Sequence, residues 1–286
     1  MDRSDRAATG LGRRSRRMSD EETAQRMLRA AMAMVSRTGL TVSLDHLSFE
    51  DIIKEADVAR SAVYRRWPYK DLFFSDLVTE LARAAIPNAA DTEAIVALVK
   101  KIVGEHRDRL GTAEGRHALL VELFRQAALQ DFQALYGSAQ WRTYLALHAT
   151  FSSLGEGELR ERIQEILARS EHGFITRVAT AWEHIATLFG YRLRAELGST
   201  FETVATLVSA TARGLILMAL STPDLADHRV EAQPFGAARA ADWSLPALGI
   251  AGIAVAFLEP DPTVGWDGQR VAAVQEAVSS LTMPAP

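Results

Sequence analysis

Apolar side chains recur every three or four residues along most of this chain, the period of helices packed on one side. Ala24, Met27, Leu28, Ala31, Met34 and Val35 set that rhythm first and predict a helix over 20–37. Ser19 or Asp20 supplies its N-cap, acids fill its first turn, and Gly39 stands just past its end. After the loop 38–47, Ser48 opens Ser-Phe-Glu-Asp, close to a capping box. A short helix follows that should bury Phe49, Ile52, Ile53 and Ala56. A tight turn at Asp57-Val58 leads to a third short helix, from Arg60 to about Trp67. Pro68 stops it, and a fourth helix starts near Tyr69-Lys70-Asp71 and runs to about Ala85.

Beyond Pro87 the pattern predicts longer helices, over 91–110, 114–135, 139–153, 157–195 and 199–221, with two more at 246–258 and 267–281. Gly111, Gly137, Gly155, Gly198 and Pro223 punctuate the joints, and a loop rich in Ala, Gly and Pro covers 223–242. Strand signals and internal repeats are missing. The expected fold class is therefore all-α. Its expected organisation is a basic arm at 1–19, a small three-helix reader with a trailing helix at 20–85, and a larger helical body at 86–286.

The third helix carries the informative chemistry. Val63 shares a face with Ala59 and Trp67, so these three should pack inward. Arg60, Ser61, Tyr64 and Arg65 are then left facing out, with Ala62 and Arg66 at the margins. Two short helices about a tight turn, covered by the helix at 20–37, have the geometry of a helix-turn-helix whose second helix enters a major groove. Arginine bonds guanine through two donors, serine bonds base or phosphate, and tyrosine bonds phosphate. Ala62 can touch a thymine methyl. Lys70 heads the fourth helix, where free N–H groups favour a phosphate. With Ser48 at the head of the second helix, the expected contacts to double-stranded DNA are Ser48, Arg60, Ser61, Ala62, Tyr64, Arg65 and Lys70. The arm adds six arginines against two aspartates, and reads either as a solvated tail or as a phosphate or minor-groove contact.

This segment resembles the N-terminal domain of the TetR family of transcriptional regulators. The resemblance rests on Ile52-Ile53, Ala56-Asp57-Val58-Ala59, Val63-Tyr64-Arg65-Arg66-Trp67, Lys70 and Leu72, and covers about residues 22–80. It implies that Tyr64 and Lys70 hold phosphates while Arg60, Ser61 and Ala62 read or flank bases. The chain departs from the family pattern at four places. Asp57 replaces the usual turn glycine, Ala59 replaces the usual N-cap serine, Arg66-Trp67 replaces His-Phe, and the loop after the first helix is longer.

A reader of this size makes few contacts, and two copies on a two-fold axis double them on a palindrome with half-sites about 34–36 Å apart or a multiple of that. The expected homodimer interface is 199–220 with 246–258, where small and apolar residues cover most of the helix surface. The resemblance also implies a small-molecule effector. Trp141, Tyr144, His148 and Phe151 recur as one stripe with a polar handle, and Phe124, His172 and Trp182 complete the expected pocket; the same spacing also suits a plain core.

Composition narrows the classes. The chain has 286 residues, 48% of them hydrophobic and 24% charged, and no cysteine. That excludes a disulfide scaffold, a thiolate metal site and a thiol nucleophile. No metal or cofactor is expected, and no nucleophile elbow, phosphate loop or dinucleotide fingerprint points to an enzyme. The longest uncharged apolar stretch, Trp243–Leu258, falls short of the roughly 20 residues a membrane span needs. A cytoplasmic protein without a membrane partner is expected. The net charge of −4 looks unfavourable for nucleic acid, yet residues 1–85 hold 15 Lys and Arg against 13 Asp and Glu. The competing expectation is an all-α small-molecule-binding protein or enzyme with a vestigial helix-turn-helix.

Overall fold

A computed structural model describes residues 18–40, 46–85 and 92–281. They form twelve α-helices and two small antiparallel ribbons, so the fold is all-α. The arm at 1–17 lies outside the described residues. The chain divides into two compact units, Met1–Leu81 and Ala82–Pro286.

The first unit holds α1 (Asp20–Thr38), α2 (Phe49–Glu55), α3 (Arg60–Arg66) and most of α4 (Lys70–Ala84). Ser19 caps α1 by accepting from the Glu22 N–H at 3.0 Å, and Gly39 ends it at φ +84. Met27, Ala31 and Val35 from α1, Ile52 and Ile53 from α2, and Val63 with Trp67 are buried, as are Phe73 and Leu77 of α4. Helices α2 and α3, with seven residues each, are too short to stand alone, and burial of the apolar faces holds the unit together. Two placements differ from the periodic reading. Phe49 is only half-buried, because it sits at the cluster's edge against the rings of Tyr64, Phe73 and Phe74. Ala59 is exposed, because it is the extended residue preceding α3 (φ −70, ψ 127) and so lies off the helical phase that Val63 follows.

The second unit begins with α5 (Thr92–Glu105), a 3-10 turn (Arg107–Gly111), α6 (Ala113–Gly137), α7 (Ala139–Ser153) and α8 (Glu158–Leu188). It continues through β1 (Tyr191–Leu193), α9 (Phe201–Ser221), α10 (Asp224–Asp227), β2 (Arg229–Ala232), β3 (Ala241–Ser244), α11 (Leu245–Phe257), β4 (Leu258–Pro260) and α12 (Gly268–Ser279). The apolar helix α11 lies against α6 and α9 and buries Ala247, Ile250, Ala251 and Ala254 at the middle of the core. The helix expected to reach residue 195 stops at Leu188. Gly190 takes φ +70, a left-handed conformation, and a Cβ there would stand 2.8 Å from the Trp266 indole nitrogen. The chain then pairs as β1 with β4, placing Arg192 opposite Glu259. The expected loop at 223–242 instead carries α10 and the ribbon β2–β3, whose Trp243 is fully buried and donates to the Ala232 carbonyl.

Among the described residues, one helix, α9, is long and apolar enough to cross a membrane by length and composition. It leaves Leu207, Leu217, Met218 and Leu220 exposed.

Candidate functional site

The turn between α2 and α3 is made by Asp57, whose φ of +50 is a left-handed conformation that Asp adopts more readily than most residues. The Ala56 and Asp57 N–H groups close back onto Ile52 and Lys54. Ala59 then starts α3 with no side-chain cap, and its carbonyl accepts from Ala62 and Val63. Val63 and Trp67 anchor α3 from below, and the Trp67 indole donates to Asp76 of α4 at 2.9 Å.

That anchoring leaves Arg60, Ser61, Tyr64, Arg65 and Arg66 exposed, with Ala62 at the margin. Ser48 is exposed at the head of α2, where its hydroxyl accepts from the Asp51 N–H at 3.2 Å and keeps its own proton to donate. Lys70 is exposed at the first position of α4 and has no partner among the described residues. All seven expected DNA contacts therefore belong to one unit, and six of them are exposed, Ala62 partly.

The sequence reading missed the carboxylates that meet this face. Glu50 of α2 pairs with Arg60 at 2.6 Å and accepts from the Tyr64 hydroxyl at 3.0 Å. That bond holds the Tyr64 hydroxyl's pKa above its ordinary value. Asp20 of α1 pairs with Arg65, and Asp76 lies 3.9 Å from Arg66. Each α3 arginine thus faces an acid from a different helix. Exposed pairs of this kind are weak and readily exchanged for phosphate. No spacing within α3 signals them, because the partners are brought in by the fold.

The expected pocket residues fall into separate places in the second unit. Phe124 stacks on Trp182 at 4.5 Å beside the main core. Trp141 and Tyr144 are buried in a smaller core with Phe132, Leu135, Ile216 and Ala219, and His148 lies 4.4 Å from the Tyr144 ring. Phe151 lies under the Arg160 guanidinium at 4.8 Å, and His172 is exposed on α8. Trp141, Tyr144 and His148 are the part of the stripe that the structure brings together.

Three residues outside the stripe join them: Glu171 and Phe174 of α8 and Arg213 of α9. Tyr144 donates to Glu171 at 2.9 Å, and Arg213 pairs with Glu171 at 2.8 Å. Burial, then the Arg213 charge, holds the His148 pKa below its ordinary value, and burial raises that of Tyr144. The sequence does hold a signal for Arg213: it is the single charge between Thr203 and Ser221. Two surface depressions lie along Arg83, Arg162 and Arg169 and beside Trp266 and Arg270.

No protein-family model and no curated protein matches the chain. Among solved structures it is similar to full-length native TylP, a TetR regulator from Streptomyces fradiae. That likeness has 13% identity and a TM-score of 0.35, and covers 91% of this chain and 99% of the other. At that score it carries no argument about function.

Proposed function

We propose that this chain is a sequence-specific DNA-binding transcriptional regulator, acting as a homodimer on a palindromic operator and released from it by a small-molecule effector, hence a repressor. The observation that carries the reading is the exposed face of α3, where Arg60, Ser61, Tyr64 and Arg65 stand on a helix fixed from beneath by Val63 and Trp67. In this reading Arg60 and Ser61 contact base edges, Ala62 meets a thymine methyl, and Ser48, Tyr64, Arg65 and Lys70 hold phosphates. Glu50 gives up Arg60 to a base edge, and Asp20 gives up Arg65 to a phosphate.

The exposed side chains of α9 support a dimer through that helix. Leu207, Ala210, Gly214 and Leu217 lie at three- and four-residue spacing on its outer side, so small residues flanked by leucines can admit a second copy closely. In α11 the fully buried side chains are mostly alanines with Ile250, while Leu248, Ile253, Val255 and Phe257 are half-buried, which leaves that helix a share of the interface. An effector must bind the two states of the dimer with different affinity to shift DNA binding.

The second reading is an all-α ligand-binding protein or enzyme with a vestigial helix-turn-helix, and the carboxylates on every α3 arginine are the observation that favours it. Selection from a random duplex library separates the two. The regulator enriches an inverted repeat with half-site centres about 10–10.5 base pairs, or a multiple, apart. A library that stays unenriched contradicts the proposal.

A further inference from the structure

Six buried side-chain polar atoms lack a hydrogen-bond partner among the described residues, and three of them belong to one cluster: Trp141 Nε1, His148 Nε2 and Arg213 Nη2. Buried polar groups are nearly always paired, so such a concentration needs a physical account. Trp141 is only 3% exposed. The walls around these atoms are aromatic. The Arg213 guanidinium carbon lies 5.1 Å from the Phe174 ring centre, 5.5 Å from Tyr144 and 5.7 Å from Trp141. Trp141 stacks on Tyr144 at 4.8 Å.

Two of the three open positions are one-sided, while the His148 nitrogen donates or accepts with its tautomer. An indole N–H and a guanidinium N–H only donate, so whatever satisfies them must accept. The positive charge of Arg213 is already met by Glu171 at 2.8 Å, and the second Glu171 oxygen is taken by the Tyr144 hydroxyl at 2.9 Å. An anion would therefore meet a carboxylate with no free cation. The flat rings favour a flat apolar body. The cluster reaches the surface through Arg213 and Glu171, whose side chains are 23% and 34% exposed.

We infer that Trp141 and Arg213 together hold the carbonyl-type oxygen of an uncharged, flat, mostly apolar small molecule, which lies against Tyr144 and Phe174. This deepens the effector-binding part of the proposed function and rests on it.

Three probes on the full-length protein test the inference: acetophenone (neutral acceptor), benzoate (anionic acceptor) and ethylbenzene (no acceptor). The readout is the indole N–H resonance of Trp141, assigned through its loss in Trp141→Phe. Acetophenone at millimolar concentration should shift that resonance, and bind at least about tenfold more tightly than either other probe. Arg213→Lys keeps the charge opposite Glu171 but loses the guanidinium fork whose second nitrogen is open, and should weaken acetophenone about tenfold. Trp141→Phe keeps the ring and should weaken it similarly, as read by calorimetry. Equal binding of all three probes, preferred binding of benzoate, wild-type affinity in both variants, or no shift with any probe overturns the inference; in the last case solvent satisfies these donors. These binding measurements use no DNA, and a separate duplex titration with and without acetophenone tests the coupling. A shifted Trp141 resonance with no release of DNA by acetophenone would leave this site standing and sink its coupling to the DNA-binding reading.

Discussion

Ala59 heads α3 with an extended backbone and no side chain able to cap it. A serine hydroxyl at this position would accept from one of the orphan N–H groups of the first turn. Ala59→Ser should therefore stabilise the first unit by about 0.5–2 kcal/mol, measured by urea unfolding. An unchanged midpoint contradicts the capping argument. Glu50 is the acid with most influence on the reading face, since it holds both Arg60 and Tyr64. Glu50→Gln removes a negative charge where phosphates would lie. Non-specific duplex should then bind about threefold more tightly, with a smaller gain on a specific site. In the second unit, the buried Asp131 carboxyl has one unpartnered oxygen, and burial pushes its pKa up to about 6 from an ordinary 3.8. The folded state therefore keeps this proton over a range where the unfolded chain has lost it, and stability falls as pH rises through about 6. Asp131→Asn should lose less stability than the wild type between pH 5 and pH 7.5 in parallel melts, and an identical loss would contradict this account.

At the level of elements, helices were legible where one face is apolar for several turns. The alternation in α1, α7 and α9 marks them to within a few residues of their ends. Events that depend on pairing between distant parts of the chain were not legible. The strand β1 exists because Gly190 turns the chain and β4 arrives from residues 258–260 to pair with it. The ribbon β2–β3 is short, and its one strong anchor is the buried Trp243. Of the candidate site, the outward set on α3 follows from a 3.6-residue period alone, whereas its carboxylate partners come from α1, α2 and α4. The aromatic stripe of α7 was visible, but Glu171, Phe174 and Arg213 come from α8 and α9. Helix α9 carries its own prediction. Leu217 is 59% exposed on its outer side, and Leu217→Glu places charges at the proposed interface. The variant should sediment as a monomer with its helical signal intact, and an unchanged dimer would place the interface elsewhere.

Over the whole molecule, the mild acidity of the chain is unevenly held. Residues 86–286 carry 17 Lys and Arg against 23 Asp and Glu, while the first 85 residues are slightly basic. On the proposed function, DNA affinity then comes from a small, locally placed charge and from doubling it in a dimer, so it should depend steeply on salt. Fluorescence anisotropy titration against the duplex upstream of the chain's own gene, at two salt concentrations, measures this most directly. Wild type, Arg60→Ala and Lys70→Ala are compared on that duplex and on scrambled DNA. Wild-type binding should be saturable and salt-sensitive. Lys70→Ala should weaken all duplexes and lower the salt slope by about 1 for each phosphate no longer neutralised. Arg60→Ala should cost about 1–3 kcal/mol on the specific duplex and little on the scrambled one. Equal weakening on both duplexes would make Arg60 a phosphate ligand, and no salt-sensitive binding to any duplex would contradict the central claim.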